Sequence, residues 1–158
     1  MYKNQKGERC HMYHSINIIK NNTTVNTWDT WHLIPVKCPV IAAPTMEENY
    51  VRIPGMSGSL DLSDYLTGEP EYSDRKGSLE FFVMNGYGVR ENRRSEIASF
   101  LDGRKMRVIL EDDPGYYYEG RVIMKDWKTE ASENYSRVTF QYQFGPYKKS
   151  LADNSEVL

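Results

Sequence analysis

Residues 104–127 read RKMRVILEDDPGYYYEGRVIMKDW, and this stretch decides the fold class. Apolar and polar residues alternate from 104 to 111, which is the period of a strand with one buried face. Asp-Asp-Pro-Gly at 112–115 is a strong turn signal, and a run rich in aromatic and apolar residues follows it. The stretch therefore predicts a β-hairpin whose second strand covers residues 116–127.

Further strands are predicted on both sides of this hairpin. Residues 136–144 alternate without interruption between buried-type and polar side chains, and SLEFFVM at 78–84 is a second strong strand. Near the start of the chain, the alternation at 14–19 ends at the turn-prone pair Asn21-Asn22. A short strand-like run covers Tyr50 to Ile53.

One helix is predicted between these strands. Ile97, Phe100 and Leu101 fall on one helical face, Asn92 is a candidate N-cap, and Gly103 lies where a left-handed C-terminal residue is favoured.

Prolines limit what the region between the first strands and residue 50 can form. Residues 27–33 (TWDTWHL) are rich in aromatic and β-branched residues, but Pro35, Pro39 and Pro44 follow. Since proline cannot donate to a central ladder, we expect only an edge strand or an extended connector here.

A long polar segment precedes the strand at 78–84. It reads IPGMSGSLDLSDYLTGEPEYSDRKGS at 53–78, and such a long loop is usually functional or a projecting hairpin. We predict an extended arm at 55–77. Its apolar residues need a docking site, and we expect a neighbouring copy to supply it, with these interface residues: Leu60, Leu62, Tyr65 and Leu66.

The predicted fold class is mainly β: a β-sandwich or flattened barrel of seven to nine strands, with one inserted α-helix and the extended arm. The 158 residues predict one domain at 14–149, with flexible segments at 1–13 and 150–158. A net charge of −2 argues against a general attraction to nucleic acid, and we predict no sequence-specific nucleic-acid partner. No apolar run is long enough to span a membrane, so no membrane partner is predicted.

The sequence gives little support for a metal-binding site. Cys10, His11, His14 and Cys38 offer zinc-type ligands, but adjacent Cys-His would aim their side chains apart in a strand. We therefore predict no metal site and no cofactor.

The three acidic residues at 111–113 fit a hairpin turn better than a calcium loop or a catalytic pair. Aromatic residues at 116–118, with Trp127, leave a glycan-binding β-sandwich open as an alternative. No nucleophile, base and oxyanion donor stand in a recognisable order, so we predict no catalytic residue and a protein that is not an enzyme.

Charge is segregated along the chain. Residues 55–74 carry five acidic and no basic side chains, whereas residues 90–107 carry six basic and three acidic ones. A solvated helix face is one interpretation. The other is that the acidic arm of one copy pairs with a basic region on the next, in a head-to-tail contact that can close into a ring; its predicted residues are Arg93, Arg94 and Arg104.

The order of these elements resembles a known family. The resemblance rests on NYVRIPGMSGSLDLSDYLTGEPEYSDRKGSLEFFV at 49–83, SFLDGRKMRVILEDDPGYYYEGRV at 99–122 and YSRVTFQYQFGPYK at 135–148. Together these segments resemble the N-terminal hub domain of the distal tail proteins of long-tailed (siphovirus-type) phages and prophages, over roughly residues 15–149.

The resemblance implies a tail-tube-like fold and a non-enzymatic virion structural protein, assembled in the bacterial host cytoplasm and located in the virion tail. It implies a homohexameric ring hub that joins the tail tube to the baseplate or tail tip. The implied partners are other copies of the chain, the tail tube protein, the tape-measure protein and tail-tip or tail-associated proteins. A tail-tube subunit of the same fold is the alternative within this resemblance.

Overall fold

The structure, a computed structural model, describes residues 14–65, 67–84, 90–129 and 134–158. Its elements are β1 (Ile16–Lys20), β2 (Thr23–Asn26), α1 (Thr27–Trp31), β3 (Leu33–Pro35), β4 (Tyr50–Val51), β5 (Leu60–Asp61), β6 (Arg75–Met84), α2 (Arg90–Phe100), β7 (Asp102–Leu110), β8 (Tyr116–Thr129), β9 (Tyr135–Phe144), β10 (Lys148–Ser150) and β11 (Glu156–Val157). The protein is mainly β, as predicted.

One large antiparallel sheet organises the chain. Its strand order is β2-β1-β7-β8-β9-β6-β3, and β10 pairs with both β8 and β11. The predicted hairpin is β7 and β8, and the predicted turn between Asn21 and Asn22 has both residues in the left-handed region. β4 and β5 form a separate two-stranded sheet.

The helix α1 shows that the large sheet is curled. It alone joins β2 to β3, the two edge strands at opposite ends of the sheet order. In a flat sheet these edges would stand about 29 Å apart at about 4.8 Å per strand, whereas a five-residue helix rises only about 7.5 Å. The edges must therefore approach each other, which gives the flattened barrel predicted from the sequence.

The interior of this curled sheet is a single apolar core. Alternate residues of the long strands are buried there, and α2 adds the predicted face of Ile97 and Leu101, with Phe100 packed against it. The largest fully buried side chains are Trp31, Phe81, Phe140, Phe144, Ile16, Ile18, Leu33, Ile97, Val108 and Val138.

The expectation of an extended segment is wrong for residues 27–31, which form α1, whereas Leu33–Pro35 does form an edge strand, β3. The Asn26 carboxamide oxygen accepts hydrogen bonds from the backbone N–H groups of Trp28 (2.9 Å) and Asp29 (3.0 Å), a regular N-cap. At the end of the helix, the Trp31 ring packs edge-on against Phe100. The N-cap at Asn26 and the packing of Trp31 on Phe100 outweigh the β-propensity of the individual residues.

Two predicted helix boundaries also change. α2 begins at Arg90, so Asn92 lies within its first turn rather than at its N-cap, and residues 85–89 lie outside the described residues. Gly103 has a left-handed backbone conformation, with φ +81°, as predicted. It is, however, the second residue of β7 and lies where the pairing with β8 shifts register.

Strand boundaries differ at two further places. β6 begins at Arg75, three residues before the predicted start. The C-terminal segment contains β11, although the sequence suggested a frayed tail; the backbone N–H of Leu151 donates to the Gly115 carbonyl oxygen at 2.9 Å. The predicted segment 1–13 lies outside the described residues. No helix within the described ranges is long and apolar enough to cross a bilayer.

Candidate functional site

The predicted arm is one leg and the tip of a longer hairpin, which we call the arm hairpin (residues 45–73). Antiparallel β4 and β5 form its middle. Nearer the body, the Glu47 N–H donates to the Glu71 carbonyl oxygen (2.8 Å) and the Ser73 N–H to the Thr45 carbonyl oxygen (2.9 Å). The segment is therefore a projecting hairpin with its own backbone ladder.

Local chemistry shapes the outer part of the arm hairpin. Gly55 and Gly58 have φ values of +85° and +91°, which side chains with a Cβ rarely adopt. Just after β5 begins, the Asp61 carboxylate accepts hydrogen bonds from the Ser63 hydroxyl (2.6 Å) and backbone N–H (3.0 Å). These bonds hold the pKa of Asp61 below its usual value, so the turn keeps a negative charge.

The arm hairpin exposes several apolar side chains. Among its described residues, six large apolar side chains are exposed, which is half of those exposed in the described part of the chain: Tyr50, Val51, Ile53, Met56, Leu60 and Tyr65. Tyr65 is the extreme case, with 76% of its surface accessible. Of the predicted interface residues, Leu60 is exposed and Leu62 is half-buried, while Leu66 lies outside the described residues.

A buried arginine anchors the base of the arm hairpin. Arg75, at the first position of β6, is only 6% exposed. Its guanidinium donates from Nε to the Pro146 carbonyl oxygen (2.8 Å) and from Nη1 to the Ala42 carbonyl oxygen (3.2 Å), and it lies over the Tyr118 ring. The sequence gives no local sign of this role, because nothing near Arg75 distinguishes it from the exposed Lys76 beside it.

The predicted basic region lies at α2 and the start of β7. Arg93 donates to the Thr30 carbonyl oxygen at 3.0 Å. Arg94 faces Glu91 at 3.7 Å, and Arg104 contacts Asp102 at 3.3 Å, both with at least half of the arginine side chain exposed. These exposed contacts are weak, so the guanidinium groups remain accessible to a partner.

Within the described ranges, the acidic groups of the arm hairpin have no ion-pair partner. Among the described residues, no ion pair joins a carboxylate of this hairpin to a Lys or Arg side chain. Intramolecular pairing therefore does not account for the charge segregation seen in the sequence.

The aromatic cluster behind the glycan alternative is largely internal. Tyr117 and Tyr118 are buried, and the Tyr117 hydroxyl donates to the Asn154 side-chain oxygen at 3.0 Å. Tyr116 is half-buried beneath the Lys148 ammonium group, and Trp127 packs against the core. These rings do not form the exposed platform that sugar stacking needs.

Part of the rejected zinc-ligand set does come together in the fold. His14 Nδ1 and Cys38 Sγ both contact the carboxylate of Asp112, the turn residue that the sequence analysis assigned to the hairpin. Cys10 and His11 lie outside the described residues.

Comparisons with known proteins identify the fold. No protein-family model matches the chain, and no curated protein matches it. Among solved structures, the chain is similar to SPP1 Dit (gp 19.1), presented as a paradigm of the hub adsorption apparatus in phages that infect Gram-positive bacteria. The TM-score is 0.58 at 18% identity, over 85% of this chain and 52% of Dit, so this chain spans about half of the Dit length. The predicted resemblance is confirmed at the level of the fold.

Proposed function

We propose that this protein is a non-enzymatic structural component of a phage or prophage tail that assembles into a ring. One observation carries the proposal: an arm hairpin with six exposed apolar side chains projects from a fold shared with the hub protein SPP1 Dit. Apolar surface of this kind, concentrated on one projecting element, is typical of an interaction site.

The arm hairpin of one copy docks on the body of the next. A standard protein interface buries about 1,600 Å² in total, and large apolar side chains such as Leu60 and Tyr65 contribute most of its energy. Exposed ion pairs add only about 0–1 kcal/mol each. The arm carboxylates and the basic region of Arg93, Arg94 and Arg104 therefore set register and orientation, while apolar burial supplies affinity.

In the finer form of the proposal, the ring is hexameric and joins the tail tube to the baseplate or tail tip. Its partners are the tail tube protein, the tape-measure protein and tail-tip proteins, and assembly takes place in the cytoplasm of the bacterial host. These assignments rest on the resemblance of the three quoted segments and on the shared fold.

Light scattering and sedimentation across a concentration series test the assembly directly, and negative-stain electron microscopy shows its form. We expect closed rings that do not stack. A strict monomer at all concentrations would overturn the proposal. Rings that stack into long tubes would replace the hub role with that of a tail-tube subunit.

A further inference from the structure

Three potential metal ligands from distant parts of the chain meet at one end of the sheet. His14 precedes β1, Cys38 lies in the connector after β3, and Asp112 is in the β7–β8 turn. His14 Nδ1 is 2.8 Å from Asp112 Oδ1, and Cys38 Sγ is 3.2 Å from Asp112 Oδ2. All three ligand atoms lie within 4.8 Å of one another.

Neighbouring contacts hold the backbone on both sides of this cluster. Next to His14, the Ser15 backbone N–H and hydroxyl both donate to the Glu111 carboxylate, at 2.7 and 3.0 Å. On the other side of Asp112, the Asp113 carboxylate accepts from Lys148 Nζ at 2.6 Å. The Ser15–Glu111 contacts thus tie the segment that carries His14 to the turn that carries Asp112.

The ligand types indicate which metal fits. Imidazole, thiolate and carboxylate are the three ligand classes of zinc, with bonds of about 2.0–2.3 Å, whereas Ca²⁺ and Mg²⁺ take oxygen ligands. Tetrahedral geometry at those bond lengths places ligand atoms about 3.3–3.8 Å apart. The two contacts to Asp112, at 2.8 and 3.2 Å, are shorter than this range, and all three ligand atoms lie within 4.8 Å of one another. The side chains must therefore rotate to admit an ion, and all three are exposed.

We propose that His14, Cys38 and Asp112 bind a zinc ion. In the structure, the Asp112 carboxylate accepts hydrogen bonds from His14 and Cys38. The hydrogen bond from Cys38 to this carboxylate is the main cause that raises the pKa of the Cys38 thiol. On binding, zinc takes the place of the thiol proton, which is released to solvent. The imidazole changes tautomer, losing its proton at Nδ1 to solvent and gaining one at Nε2, so that Nδ1 presents its lone pair to the ion. Three protein ligands leave the fourth tetrahedral position to water.

The ion would add a further link between three segments. β1 already pairs with β7 beside the cluster, whereas Cys38 of the connector contacts the turn through an exposed hydrogen bond to Asp112. The ion ties the start of β1 and the connector after β3 to the β7–β8 turn, so zinc should raise the melting temperature. This inference does not depend on the proposed ring, because its ligands belong to one chain.

The test uses the full chain, metal-free and reduced, in a Cys10→Ser, His11→Ala background that removes the other candidate ligands near His14. Titration with CoCl₂ should give a sulfur-to-cobalt charge-transfer band, and ZnCl₂ should displace the cobalt and raise the melting temperature. Binding of one ion per chain is expected. Cys38→Ser should abolish the band, and His14→Asn should weaken zinc binding by more than the roughly tenfold effect of losing a positioning contact.

Two controls show whether a loss of zinc binding comes from the cluster itself. His32→Asn removes an exposed histidine outside the cluster and should leave zinc binding unchanged, and circular dichroism checks that each variant is folded. The proposal is overturned if the background variant binds no zinc, if Cys38→Ser or His14→Asn binds as well as the background, or if MgCl₂ or CaCl₂ competes equally.

Discussion

Arg75 and Pro146 are joined by a hydrogen bond from the guanidinium Nε to the carbonyl oxygen, at 2.8 Å. Arg75 stands where the arm hairpin rejoins the body, and Pro146 follows the end of β9. The same guanidinium also holds the Ala42 carbonyl oxygen on the incoming side of the hairpin. One buried side chain therefore fixes both legs of the arm hairpin to the sheet, and it gives the hairpin a defined direction.

Replacing this anchor should destabilise the fold. Arg75→Leu leaves the Ala42 and Pro146 carbonyl oxygens without their donor, and we expect a loss of about 1–3 kcal/mol in the free energy of unfolding. Lys76→Leu, at the exposed neighbouring position, should change it by no more than about 0.5 kcal/mol. Urea unfolding measures both, and equal values would show that the Arg75 contacts do not stabilise the protein.

A close approach between β8 and β9 predicts a second large effect. A Cβ atom on Gly120 would collide with the Gln143 carbonyl oxygen and the Phe144 Cα, which are backbone atoms and cannot rotate away. Gly120→Ala should cost about 1–3 kcal/mol or more. Gly145→Ala is the control, because a Cβ there meets no atom within 4 Å. Thermal unfolding of the two variants should separate them clearly.

Stability in acid should depend on Asp102. The hydrogen bond from Lys20, followed by that from the Arg104 backbone N–H, lowers the pKa of Asp102 below its ordinary value of 3.8. Because the folded-state pKa is depressed, the stabilisation is present above pH 3.8 and is lost as the pH falls through the lower folded-state pKa.

Asp102→Asn should therefore lower the free energy of unfolding at neutral pH and flatten its decline in acid. Urea titrations at several pH values between neutral and about pH 2 measure this. Asp126→Asn, which removes a carboxylate paired with Lys128 on the surface, serves as the control. An unchanged slope in the Asp102 variant would contradict the linkage.

Assembly should depend on the apolar side chains of the arm hairpin. Leu60→Ser combined with Tyr65→Ser removes two exposed anchors, and we expect association to weaken by about tenfold or more. The monomer should keep its stability, because both side chains are exposed. Leu151→Ser, at a comparably exposed leucine off the hairpin, should leave association unchanged in light scattering; an equal loss there would point to another interface.

Charged residues should affect the association of copies less than the apolar residues of the arm hairpin do. Arg94→Glu and Glu71→Arg should each reduce association by less than the apolar variants, since exposed pairs contribute about 0–1 kcal/mol. The combined swap should restore part of the loss, and the effect should shrink at high salt. Purely additive losses in a double-mutant cycle would show that these two residues do not meet. Lys125→Glu controls for net charge.

Much of the fold follows from patterns between neighbouring residues. Alternation predicted β1, β7 and β9, and runs of apolar and aromatic residues predicted β6 and β8. The Asp-Asp-Pro-Gly turn predicted the central hairpin, because strand faces and turns depend on residues only a few positions apart. The pattern failed at α1, where a capping contact from Asn26 and the packing of Trp31 on Phe100 override the preferences of individual residues.

The features that matter most for the proposals depend instead on residues far apart in the chain. An extended arm at 55–77 was predicted from its composition, but its pairing with residues 45–51 and its anchor at Arg75 depend on distant groups, including the carbonyl oxygens of Ala42 and Pro146. His14 and Asp112 are 98 positions apart, and they meet because β1 pairs not only with its sequence neighbour β2 but also with the distant β7. The strand order depends on burying the apolar side chains of all the strands together in one core. The spacing of residues within one segment therefore cannot show which distant side chains become neighbours.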